Sequence, residues 1–134
     1  MYLVGRAVTM TANTVLSNTA MIGGGLYLEY NDATLNRNTI SFNRATLENG
    51  EGGGIFVYNS DPTMDGNIIT FNYAALGGGV SLFNSSPVMK NTVGADNTGG
   101  IYCSGISIRL HSSPNLYHTT IARNQGGDGS GISL

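Results

Sequence analysis

The 134-residue chain predicts an all-β solenoid of stacked turns, and three regularities carry that reading. Gly-Gly-Gly recurs at Gly23–Gly25, Gly52–Gly54 and Gly77–Gly79, each time opening a short apolar stretch that runs into a polar turn. A second landmark, Asn-Thr-Val or a close variant, follows each turn and covers nearly the whole chain in five copies. Between the landmarks, Ile, Val, Leu and Met alternate with Ser, Thr, Asn and Gly in short runs, a period of two that suits strands and not helices.

The glycine landmark sets the first register. The repeat Gly54-Ile55-Phe56-Val57-Tyr58-Asn59-Ser60-Asp61-Pro62 matches Gly79-Val80-Ser81-Leu82-Phe83-Asn84-Ser85-Ser86-Pro87 almost position for position. An earlier copy begins at Gly25 with Leu26, Tyr27 and Leu28. A later one begins at Gly105 with Ile106, Ser107 and Ile108 and reaches His111, Ser112, Ser113 and Pro114. The second landmark reads Asn13-Thr14-Val15, Asn38-Thr39-Ile40, Asn67-Ile68-Ile69, Asn91-Thr92-Val93 and Thr119-Thr120-Ile121, in steps of 25, 29, 24 and 28 residues. Three residues after its apolar position come Asn18, Asn43, Asn72, Asp96 and Asn124. Ala20, Ala45 and Ala74 follow in the first three copies.

A period in the mid-twenties fits either a leucine-rich repeat or a β-helix, and the content decides. Leucines at fixed offsets are missing, and Gly, Asn and Thr are poor interior helix residues. Each repeat therefore reads as one turn of two or three short strands, with turns stacked about 4.8 Å apart in parallel sheets. Stacking places equivalent residues above one another, so Ile55, Val80 and Ile106 form one buried column and Val15, Ile40, Ile69, Val93 and Ile121 another. Asn18, Asn43, Asn72 and Asn124 are expected to form an asparagine ladder, bonded rung to rung at a bend whose left-handed backbone Asn tolerates. The glycines supply positive φ and close approach between turns.

The Gly-Gly-Gly-Ile opening with the later Ile-x-x-Asn-x-Ala resembles the right-handed parallel β-helix repeats of pectate-lyase-like proteins. The resemblance is to the repeats of bacterial cell-surface proteins and, through Gly-Gly-Ala-Ile and Phe-x-x-Asn, of polymorphic outer membrane proteins. It covers nearly all of the chain and implies a single-stranded right-handed parallel β-helix of about five turns, roughly 24 Å tall. The hand comes from the family alone. Its members include adhesins, surface proteins, polysaccharide lyases and epimerases, so the fold does not select the activity. Residues 1–134 read as one domain, with residues 46–51 lengthening one turn into a protruding loop. Gly131, Ile132, Ser133 and Leu134 match the start of a further repeat. That pattern is expected either of a section of a longer array or of ends that pack against something, and open parallel edges predict end-to-end self-association.

A net charge of −2 with 10% charged residues provides no concentrated basic face for nucleic acid. No stretch is long and apolar enough for a transmembrane helix, and residues 1–10 lack the basic start and apolar run of a signal peptide. A cell-surface or extracellular location is what the resemblance implies. The single cysteine, Cys103, cannot form an internal disulfide and is expected to be a structural strand residue.

Lyases of the family carry acids on the outward face of one sheet, where they bind acidic sugars through calcium. Here the outward positions after the glycines hold Tyr27, Phe56, Ser81 and Ser107, then Glu29 or Tyr30, Tyr58, Phe83, and Arg109 or Leu110. Tyr27, Phe56, Tyr58 and Phe83 thus define a candidate aromatic strip that could stack on sugars, dock a protein, or simply cover the sheet. Asp32 and Asp61 align at a turn and are the candidate calcium ligands, although Asp commonly caps such turns. Gly126-Gly127-Asp128-Gly129-Ser130-Gly131 resembles a calcium-binding nonapeptide but occurs once and has Gly131 where that motif needs aspartate. His118 falls in a register with Arg37 and Lys90 that reads as a solvated basic column. Thr14, Thr39, Thr92 and Thr120, interrupted by Ile68, resemble the threonine arrays of ice-binding β-helices. The functional expectation is a non-enzymatic scaffold or binding module of a surface or secreted bacterial protein. A divergent polysaccharide lyase or epimerase is the alternative, and ice binding the third.

Overall fold

A computed structural model describes residues 1–134. Twenty strands of two to four residues wind into a parallel solenoid with no α-helix. Each full turn contributes one strand to each of four parallel sheets, which hold six, five, five and four strands. The second turn shows the plan. Leu26–Glu29 lies in the six-stranded sheet, Thr34–Asn36 and Thr39–Ser41 in the two five-stranded sheets, and Arg44–Ala45 in the four-stranded sheet.

Alternation along each strand sends one residue set inward, and parallel pairing stacks those residues into columns. Leu26, Ile55, Val80, Ile106 and Ile132 form one column, and Leu3, Leu28, Val57, Leu82 and Ile108 the next. A third column is Met10, Leu35, Met64, Met89 and Leu116. Three unbranched thioethers, Met10, Met64 and Met89, fill the interior there, a task that suits flexible Met. Sixteen of these and neighbouring side chains make one continuous buried cluster.

The corners are built in pairs of residues. At one corner Ser17, Phe42, Phe71, Asp96 and Arg123 take φ between 52° and 57°, the left-handed region that L-residues seldom enter. The next residue in every turn is Asn18, Asn43, Asn72, Asn97 or Asn124, whose side chain turns inward. Asn43 donates from its backbone N and its Nδ2 to Asn72 Oδ1 at 2.9 and 3.0 Å, and its Nδ2 also donates to the Val15 carbonyl at 3.0 Å. Asn72 repeats the pattern towards Asn97 Oδ1 and the Ile40 carbonyl. An amide is the one small side chain with two donors and an acceptor, so each rung satisfies the backbone groups that the bend leaves open.

The ladder is therefore real, with two corrections. The left-handed residue is the one before each Asn, not the Asn itself. The fourth rung is Asn97, not the Asp96 aligned from the sequence. Ile69 pairs with Gly94, which puts Gly94 in the inward column and turns Val93 outward. The spacings between rungs become 25, 29, 25 and 27 residues. The sequence alignment followed the apolar residue, whereas the register follows the donor that can reach the Ile69 carbonyl, and a carboxylate has none. The same slip moves Thr92 out of the threonine column, which runs Thr14, Thr39, Ile68, Val93 and Thr120. It also moves Lys90 into register with Asp65 and Tyr117, away from Arg37 and His118.

Two further corners use the same device. Asn13, Asn38 and Asn67 form a second ladder, with Asn38 bonded to Asn67 Oδ1 at 3.0 Å and to the Met10 carbonyl at 3.0 Å. Thr92, whose hydroxyl donates to the Lys90 carbonyl, takes the next position. At the third, Asn31, Ser60, Ser85 and Ser112 pass backbone N–H bonds to successive hydroxyls at 2.8, 3.1 and 3.0 Å. The glycine triplets make the fourth corner. Gly52 supplies φ of +61°, while a Cβ on Gly53 would collide with the Gly78 carbonyl oxygen and the Tyr73 backbone.

Asn43→Ala, Asn72→Ala and Asn97→Ala should each destabilise by about 1 to 3 kcal/mol, because each leaves buried partners unsatisfied. Asp96→Asn should leave the transition nearly unchanged. Chemical denaturation of the four variants checks the assignment, and an Asn97→Ala chain as stable as the parent would refute the revised register.

Candidate functional site

The outer face of the six-stranded sheet carries a run of aromatic side chains in contact with one another. Its first outward column runs Tyr2, Tyr27, Phe56, Ser81, Ser107 and Ser133. Its second runs Val4, Glu29, Tyr58, Phe83 and Arg109, so the pleat assigns Glu29 and Arg109 to this face and leaves Tyr30 and Leu110 to the turn. Rung spacing brings the rings together. Centroids lie 4.9 Å apart for Tyr2 and Tyr27, 5.1 Å for Tyr27 and Phe56, and 5.3 Å for Tyr58 and Phe83, each pair tilted by 31° or 32°. Tyr30, at φ 48°, stands edge-on to Tyr58 at 6.1 Å.

The four predicted strip residues do come together, but they are not equally accessible. Phe56 is only 5% exposed and acts as packing beneath its neighbours. Tyr27, Tyr58 and Phe83 are half-buried and, with the exposed Tyr2 and Tyr30, carry the accessible surface.

The long turn after Ala45 shapes the same face. Thr46 to Asn49 are exposed, as a protruding loop requires, yet Gly50 is buried and the chain then folds back. Glu51 consequently lies over the sheet, accepting from Arg109 Nη1 at 2.6 Å and from the Ser81 hydroxyl at 2.8 Å. Arg109 in turn sits 5.7 Å from the Phe83 ring centroid. Beyond this pair is a hollow of about 570 Å³ lined by Leu76, Tyr102, Ser107, Arg109, Asp128 and Ser133, among others. Asp128, from the nonapeptide-like segment, thereby contributes to this face and not to a metal array.

At the other end of the face the Tyr2 hydroxyl donates to Glu29, and that bond raises the Tyr2 phenol above its ordinary value. Burial, reinforced by the Glu29 charge, pushes the Tyr27 phenol up to about 12.

Asp32 and Asp61 stand one rung apart as expected. Each Oδ1 accepts a backbone N–H from the next turn, Asp61 N at 2.7 Å and Ser86 N at 2.6 Å. Ser86 continues the series by accepting from Ser113 N at 3.0 Å. A calcium ion needs six to eight oxygens. Here the neighbouring Asn59 Oδ1 is held by Asn84 Nδ2, and no cluster of three metal-binding side chains exists in the molecule. The hydrogen bonds of Asp32 and Asp61 are those of stacked turn caps. Cys103 is fully buried, with its sulfur directed at the Ile106 carbonyl 2.8 Å away, a strand-corner packing position.

One surface feature escaped the sequence. Phe42 and Phe71 stack at 5.0 Å and 12°, more than half exposed, on left-handed backbone. Both lie immediately before a ladder Asn, the signal that would have located them.

Alkaline titration tests the Tyr27 environment. The folded value of about 12 lies above the ordinary 10.0, so the native state holds this proton more tightly than the unfolded chain. The associated stability is complete below pH 10 and is lost as pH rises from 10 to about 12. Tyr27→Phe should show a shallower alkaline loss of stability than the parent in pH-dependent denaturation; superimposable curves would exclude this.

No curated protein and no solved structure matches the chain. The family model described as the right-handed β-helix region matches residues 2–134, in agreement with the parallel four-sheet coil and its stacked corners. This chain belongs to the right-handed β-helix family.

Proposed function

We propose that the chain is a rigid, non-enzymatic binding module of a surface or secreted bacterial protein, and that its ligand surface is the outer face of the six-stranded sheet. The observation that carries the reading is the set of half-buried rings on two adjacent outward columns, Tyr27 in the first and the rung-spaced Tyr58 and Phe83 in the second, with Glu29 on one side and the Glu51–Arg109 pair on the other. Strands of two to four residues locked by corner ladders give a scaffold with little conformational freedom left to lose, which favours binding. Rings set about one rung apart in a row suit a glycan chain or an extended protein segment. A lyase or epimerase reading is less well supported. The one cation on this face is tied to Glu51, and a threonine column broken by Ile68 and Val93 gives ice little regular surface.

Tyr58→Ala and Phe83→Ala should each weaken binding of a ligand found on a glycan array by about tenfold, the loss of one stacked ring. Undiminished binding by both variants would remove this face as the ligand surface.

The strands of the first and last turns pair on one side only, which leaves rows of unpaired backbone groups at both faces of the coil. The 134-residue chain is therefore expected to associate end to end as concentration rises. Sedimentation velocity showing a strict monomer at high concentration would refute that expectation.

A further inference from the structure

Glu29 is a half-buried carboxylate without a cation. The molecule's two ion pairs are Glu51–Arg109 and Asp96–Arg123, and neither involves it. Carboxylates drawn partly out of water are normally matched by a positive group or by several donors. What surrounds Glu29 instead is tyrosine. Tyr2 donates to it from the rung before, Tyr27 precedes it by two residues on the same strand face, and Tyr58 occupies its position in the next rung. Tyr30 closes the side, with its ring at 83° to Tyr58.

We propose that this end of the strip is a binding site for an organic ammonium group carried on an amino-sugar chain. An ammonium has three N–H donors. This end of the face offers three oxygens: the Glu29 carboxylate, the Tyr2 phenol, which keeps lone pairs free while its own proton points to Glu29, and the phenol of the neighbouring Tyr27. The rings at right angles add attraction for a cation through their faces. Both phenols hold their protons more firmly than usual, so they act as neutral acceptors and not as anionic metal ligands.

Charge selects the polymer. Along the rest of the face Arg109 is already neutralised by Glu51, while Asp128 is exposed. A chain bearing carboxylates would meet Glu29 and Asp128, and the only cation among the outward strand residues of this sheet, Arg109, is held by Glu51. A chain bearing amines would meet complementary charge at both ends of the aromatic column. The inference rests on the assignment of this face as the ligand surface, and the test separates the two.

Calorimetric titration of the 134-residue chain would use a fully deacetylated glucosamine hexamer, its N-acetylated counterpart and an oligogalacturonate. The glucosamine hexamer should bind at least about tenfold more tightly than the N-acetylated one. Glu29→Gln should abolish that preference. Asp65→Asn, which removes an equal charge from a different sheet, should preserve it. Equal binding of the two hexamers by the parent chain, a preference for the oligogalacturonate, or equal loss in Glu29→Gln and Asp65→Asn would overturn the ammonium site. If N-acetylated or acidic sugars still bind and lose affinity in Phe83→Ala, the face survives as a glycan surface without it. Failure of all three sugars to bind would overturn both.

Discussion

Every turn of this coil must bend sharply, and a bend made of L-residues leaves backbone donors and acceptors unpaired in the interior. The structure meets that constraint with a repeated pair: one residue forced into left-handed backbone, then one whose short polar side chain bonds to the rung above and below. Asn43, Asn72 and Asn97 do this at one corner, Asn38 and Asn67 at a second, and Ser60 and Ser85 at a third. The strain at Phe42 or Phe71 persists because the following Asn makes several hydrogen bonds that only that geometry permits. The apolar columns depend on these corners, since the strands are too short to set their own register.

The same device determines what the surface can be. With corners and interior prescribed, the outward positions of the strands and the left-handed corner residues are free to vary. Outward positions of the six-stranded sheet have accumulated rings and a few charges, and rung spacing converts a residue repeated down the sequence into a continuous column. The turn after Ala45 adds the other ingredient. It is long enough to fold back and deliver Glu51 to the Arg109 end of a face whose own strands carry acid only at Glu29. Function in such a scaffold is a matter of which columns are filled and which turns are lengthened.

Electrostatics on that face is local. Glu51 and Arg109 neutralise one another beside Phe83, while Glu29 is stabilised by phenols alone and in turn keeps those phenols protonated. Two carboxylates, one satisfied by a cation and one by a hydroxyl, give the two ends of the strip different chemistry. Asp32 and Asp61, which stood out as a matched acidic pair, each commit one carboxylate oxygen to a backbone N–H of the next turn.

The solenoid, the apolar column of Ile55, Val80 and Ile106, the ladder at Asn18, Asn43, Asn72 and Asn124 and the membership of Tyr27, Phe56, Tyr58 and Phe83 in one face were all legible in the chain. Each of these follows from periodicity, because identical turns place identical residues in identical surroundings. What could not be read locally was the register of the fourth turn, where Val93 looks like the apolar landmark and Gly94 occupies the slot. A hydrogen-bond donor at Asn97 outweighs one apolar side chain there, and that balance exists only once the neighbouring rung is in place. Phe56 is buried and Glu51 is brought onto the sheet for a similar reason. Exposure and loop reach depend on neighbours from other turns, and only the tertiary stacking brings those neighbours together.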